Sequence, residues 1–76
     1  MPGTAHWIDL YQENVNRYGQ RPGQAMFNAW HDYRPRVVSD LRGTDVDCYY
    51  DDSRIAAFVA AALNDTLTND LREAFS

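Results

Sequence analysis

Residues 42–55 read RGTDVDCYYDDSRI and hold four aspartates within eight positions, together with the chain's one cysteine and two tyrosines. Three chemistries could use such a set. Carboxylates at the right spacing bind a hard cation through oxygen. Paired carboxylates can pass protons. A thiol beside a base can attack a carbonyl.

Spacing weighs against the cation. A calcium-binding loop wants acids at relative positions 1, 3 and 5, glycine at 6 and glutamate at 12. Counted from Asp45, Asp47 fits position 3, but positions 5, 6 and 12 are Tyr49, Tyr50 and Ala56. Paired carboxylates at work need an enclosing pocket, which short helices in a chain of 76 residues rarely build. A Cys48 dyad needs His6 or His31 brought to it. Cys48 also reads as a small buried apolar residue. The chain has no HExxH, paired CxxC, phosphate-binding loop or GxGxxG motif. The expectation is therefore no enzyme, no metal and no cofactor. Asp45 and Asp47 fit turns stabilised by their own side chains, and Asp51 or Asp52 fits the N-cap of a following helix.

The elements that must hold this stretch are helices. At about 100° per residue, Trp7, Ile8, Leu10, Tyr11, Val15 and Tyr18 share one arc of a first helix, His6 to Tyr18. Thr4 is its expected N-cap, Gly19 its stop. Asn14 falls inside the apolar arc and is expected at its rim. Pro22 opens a second helix running to Tyr33. Gln24 stands where its side chain could reach back to the Arg21 amide. Ala25, Met26, Ala29, Trp30 and Tyr33 face one way; Gln24, Asn28, His31 and Asp32 face the other; Phe27 is on the border. Pro35 to Arg42 forms a short third helix burying Val37, Val38 and Leu41, and Gly43 ends it. A fourth runs from about Asp52 to Leu63 with Ile55, Phe58, Val59, Ala62 and Leu63 inward.

The rest of the chain poses a geometric problem. Ile55, Val59, Leu63, Leu67, Leu71 and Phe75 recur every fourth residue, and such a row drifts about 40° per step on a straight helix. The expected resolution is a break near Asn64–Thr66, with Thr66, Thr68 and Asn69 as natural caps for a short helix restarting from about Thr68. Without a break, Leu67, Leu71 and Phe75 form a stripe for a homodimer or another partner. The expected fold is all-α, a compact bundle of four to five short helices joined by tight turns, in one domain over residues 1–76.

Charge is uneven. Residues 1–38 carry four arginines against Asp9, Glu13 and Asp32; residues 39–76 carry three against seven aspartates and Glu73. The net charge is −4, with the second half strongly acidic. This weighs against general nucleic-acid affinity and suits a partner with a basic surface. No segment reads as a membrane span or signal peptide: the longest apolar run, Ile55 to Leu63, is short and half alanine. Cys48 alone forms no internal disulfide, which fits a cytosolic setting.

Arginine and aromatic residues dominate interface hot spots. The candidate partner-binding residues are Phe27, Asn28 and His31 on the second helix, and Asp45, Asp47, Tyr49, Tyr50 and Asp51 in the acidic connector. Each aromatic has a packing alternative: Phe27 completes the core, and either tyrosine lids it. A DNA-binding alternative rests on the second and third helices, loosely like a helix-turn-helix. Five arginines lie between Arg17 and Arg42 there, against Asp32 and Asp40.

RPGQAMFNAW followed by RGTDVDCYYDDSRIAAFV resembles a widespread group of small, uncharacterised proteins of tailed bacteriophages. The matching positions are Arg21, Gly23, Gln24 and Asn28, then Asp47, Tyr49, Asp51 or Asp52, and Ile55 with Phe58. The resemblance covers roughly residues 10–60. Relatives often have Pro-Phe where Cys48–Tyr49 stand. The resemblance implies phage origin and a host-cytoplasm setting, and brings no activity with it. The functional expectation is a non-enzymatic protein–protein interaction module acting on a host or phage protein.

Overall fold

A computed structural model describes residues 6–75. Four α-helices follow one another: α1 (Trp7–Asn16), α2 (Pro22–Tyr33), α3 (Pro35–Leu41) and α4 (Ile55–Ala74), with a single 3-10 turn, Asp52–Arg54, leading into α4. No strand occurs among the described residues, so the all-α bundle expected from periodicity is what the chain forms. The body is flattened, with extents of 41 × 36 × 16 Å.

Local signals set most helix ends. His6 caps α1: its Nδ1 accepts the Ile8 amide at 3.2 Å. The expected cap Thr4 lies outside the described residues. Gly19 and Gly43 adopt φ of +62° and +76°, left-handed values that suit glycine and end α1 and α3 as expected. Pro35 keeps Arg34 out of the helical region, at φ −145° and ψ 81°, so one residue bends the chain from α2 into α3.

The core forms where α1, α3 and α4 meet the apolar face of α2. Trp30 and Phe58 are fully buried, with Met26, Phe27, Val37, Val38, Cys48 and Ala62 around them. Trp30 stacks on Trp7 at 5.3 Å and meets the Tyr33 ring edge-on at 5.3 Å. Phe27 is 5% exposed, so its packing alternative is the one realised. Tyr18 is exposed, because α1 stops at Asn16 and carries it past α2.

Three expectations are corrected. Asn14 is buried, not at the rim; its Nδ2 donates to the Ala25 carbonyl at 3.1 Å. Ala25 is small enough to let α1 come close, so the amide is covered and finds a partner. Gln24 does not cap α2; its amide donates instead to the Tyr49 hydroxyl at 3.5 Å. Finally, α4 does not break. Thr66 and Thr68, the expected caps, donate their hydroxyls to the carbonyls of Ala62 and Asn64 at 2.8 and 2.9 Å. That i−4 bonding uses them inside the helix, and one helix of 20 residues results. The predicted drift then takes effect: Ile55 and Val59 are half-buried, whereas Leu63, expected inward, is 50% exposed.

Candidate partner-binding groove

The acidic connector is an ordered joint clamped to the start of α2. Asp47 makes the turn after α3: its Oδ2 accepts the Gly43 amide at 2.7 Å and its Oδ1 the Tyr49 amide at 3.0 Å. Asp51 caps the 3-10 turn, accepting the amide and hydroxyl of Ser53 at 3.0 and 2.6 Å, and sits 3.3 Å from Arg54 Nε. Those bonds hold the Asp51 carboxyl below its ordinary pKa. Asp52 reaches furthest. Its Oδ1 accepts the Gly23 amide at 2.8 Å and the Arg21 guanidinium at 2.9 Å. It thus fills the capping position that α2 leaves open. Arg21 also donates to the Tyr49 carbonyl at 2.6 Å.

Gly23 makes the clamp possible. A Cβ there would collide with the Cys48 carbonyl oxygen and stand 2.7 Å from Asp52 Oδ1. Only glycine lets the connector backbone lie this close to the helix. Cys48 is enclosed in the joint, and its thiol donates to the Gly23 carbonyl at 3.4 Å. Burial, with the Asp47 charge second, pushes its pKa up to about 11. The thiol is held neutral, the opposite of what a nucleophile needs. Among the described residues, no three His, Cys, Asp or Glu side chains converge to hold a metal.

The joint sets one wall of a groove of about 490 Å³. Asn28 and His31 of α2 form the other wall, with buried Phe27 at the base. Arg42, Gly43, Asp47, Tyr49 and Tyr50 complete its lining. Tyr49 lies half-buried, edge-on to Phe27 at 5.1 Å, and Tyr50 packs edge-on to Tyr49 at 4.7 Å. Tyr50 is 87% exposed. Asn28 Nδ2 donates to Gln20 Oε1 at 3.1 Å, so its amide is held in position. His31 is exposed beside Asp32, 3.8 Å away.

Six of the eight candidate residues, Phe27, Asn28, His31, Asp47, Tyr49 and Tyr50, therefore share one groove. Asp45 and Asp51 lie outside it, Asp45 exposed and Asp51 occupied by Ser53 and Arg54. Sequence reasoning missed Arg42 for this groove, reading it as a helix end and as one of the arginines of the DNA-binding alternative. It also missed the clamp of Arg21, Gly23 and Asp52. A glycine in the first turn of a helix costs stability relative to alanine, and that was the signal of a close approach. A helix-turn-helix uses a turn of three or four residues; here Arg34 alone separates α2 from α3, and α3 buries Val37 and Val38. Compared with protein-family models, curated proteins and solved structures, the chain matches none of them.

Proposed function

We propose that this chain is a non-enzymatic interaction module that binds a segment of another protein in the groove between α2 and the connector. The observation that carries this reading is Tyr50, a large aromatic that is 87% exposed yet seated against Tyr49. An exposed aromatic held in place gives contact area at small entropic cost. Arg42 lines the same groove, and tyrosine and arginine are the residues that hot spots favour. Asn28 and His31 add a polar wall for main-chain groups of the bound segment. The acidic character of residues 39–76 would speed the approach of a partner with a basic surface. The resemblance to small proteins of tailed bacteriophages makes a host or phage protein in the host cytoplasm the expected partner.

The test is affinity capture from host lysate with mass spectrometry, using the wild type, Tyr50→Ala and Arg42→Ala. The expected result is a stoichiometric protein that both substitutions lose while helix content by circular dichroism is unchanged. Recovery of no protein, together with tight, steeply salt-dependent binding to DNA, would replace this reading with the DNA-binding alternative.

A further inference from the structure

Helix α4 carries a second apolar face, turned away from the core. Phe58 and Ala62 point inward and are fully buried. On the opposite arc stand Ala56, Ala60, Leu63, Leu67 and Leu71, with Phe75 at the end. Leu63, Leu67 and Leu71 are 50, 58 and 50% exposed, and Phe75 is 85% exposed. A helix of a small monomer has no packing reason to present four large apolar side chains to water in a row.

Charge and side-chain size both favour a second copy of the chain as the cover of this face. Between Ile55 and Asn69 the one charged residue is Asp65, and it turns toward Asp40 of α3. Further on, Asp70, Arg72 and Glu73 line a separate groove against the start of α3. The outward stripe is thus free of charges that association would have to strip of water. Its side chains are graded: the first turns offer alanine at 56, 57 and 60, and the last offer Leu67, Leu71 and Phe75. Pairing two such stripes in parallel sets alanine against alanine, leaving voids, and leucine against leucine, crowding the far end. Antiparallel pairing about a two-fold axis between Asn64 and Leu67 sets Phe75 over Ala56 and Leu71 over Ala60. Large side chains then meet alanines at both ends of the contact, as close packing requires, while Leu67 meets Asn64 and Leu63 meets Thr68 about the axis. The contact is isologous, so it closes at two copies.

We propose that the chain forms an antiparallel homodimer through this face of α4, the alanine end of one copy receiving the leucine and phenylalanine end of the other. The contact is one helix pair, at the small end of specific interfaces, so association depends on concentration in the accessible range. It is independent of the groove between α2 and the connector.

The experiment is sedimentation equilibrium of the full chain from micromolar to millimolar concentration. A monomer–dimer equilibrium is expected, weakened more than roughly tenfold by Leu67→Glu at unchanged helix content. Orientation is read from engineered cysteines under mild oxidation, with buried Cys48 silent. Ala60→Cys mixed with Leu71→Cys should give a crosslinked dimer that neither variant gives alone. Ala60→Cys crosslinking to itself would mean parallel pairing and overturn the proposal. A monomer at every concentration, or a dimer indifferent to Leu67→Glu, would overturn it too and leave the stripe to a different partner or to none.

Discussion

Asp52 Oδ1 accepts the Gly23 amide at 2.8 Å across 29 residues of chain. The second helix is therefore capped from the segment that leads into the fourth, and the two segments stand or fall together.

Gly23→Ala separates two effects of opposite sign. Helix propensity favours alanine by about 0.8–1 kcal/mol. The new methyl, however, meets the Cys48 carbonyl, a backbone atom that cannot step aside. Overpacking of this kind costs about 1–3 kcal/mol. Urea unfolding should show a lowered midpoint. A raised one would mean that the connector does not press on α2.

Asp52 answers to a graded pair. Asp52→Ala removes the acceptor of both the Gly23 and Arg21 bonds and should cost about 1 kcal/mol, as loss of a helix cap does. Asp52→Asn keeps an acceptor and should cost less. The Arg21 ion pair is half exposed and adds little. Equal losses would point to the charge rather than the cap.

Asn14 should depend on its donor. Asn14→Ala removes the bond to the Ala25 carbonyl and should cost about 1 kcal/mol. Asn14→Asp should cost more, because a buried carboxylate faces that carbonyl with nothing to donate. Thermal unfolding at neutral pH orders the two variants.

Asp65 gives a pH dependence of defined sign. Burial first, then the hydrogen bond and charge of Asp40, raise its pKa, while Arg72 pulls the other way. A carboxyl with a raised folded pKa contributes stability below its unfolded value and loses it as pH rises through the folded one. Asp65→Asn should therefore stabilise the protein at pH 7 by roughly 0.2–1 kcal/mol, the scale of a partly exposed charge pair. The gain should shrink as pH falls into the carboxylate range. Unfolding midpoints at several pH values check it, and a variant destabilised at pH 7 would rule out repulsion from Asp40.

Cys48 should resist modification. With its pKa pushed up to about 11 and no exposed surface, the thiolate is scarce at pH 8 and shielded. A thiol-specific reagent should react only as fast as the chain opens. Prompt, complete reaction of the native protein would contradict the enclosed joint.

The sequence by itself determined the all-α class, the span of α2 and the stops at Gly19 and Gly43. These rest on interactions within a few residues: proline at a first turn, glycine at a left-handed position, apolar residues at helical spacing. It also held six of the groove's residues: Asn28 and His31 stand off the core arc, Asp47, Tyr49 and Tyr50 crowd the connector, and Phe27 falls at the border of the arc though it is core. Tertiary structure decided what such spacing cannot express. Asn14 is buried because Ala25, eleven residues on, lets two helices approach. Three of the connector's aspartates look like chemistry in sequence, yet Asp47, Asp51 and Asp52 satisfy backbone amides. Local pattern cannot tell a ligand from a cap when the capped helix is far along the chain. The course of α4 past Asn64 was expected to break and does not, for a related reason. Its threonines serve equally as caps or as interior donors, and the unbroken helix, which takes them as donors, carries its later leucines away from the core.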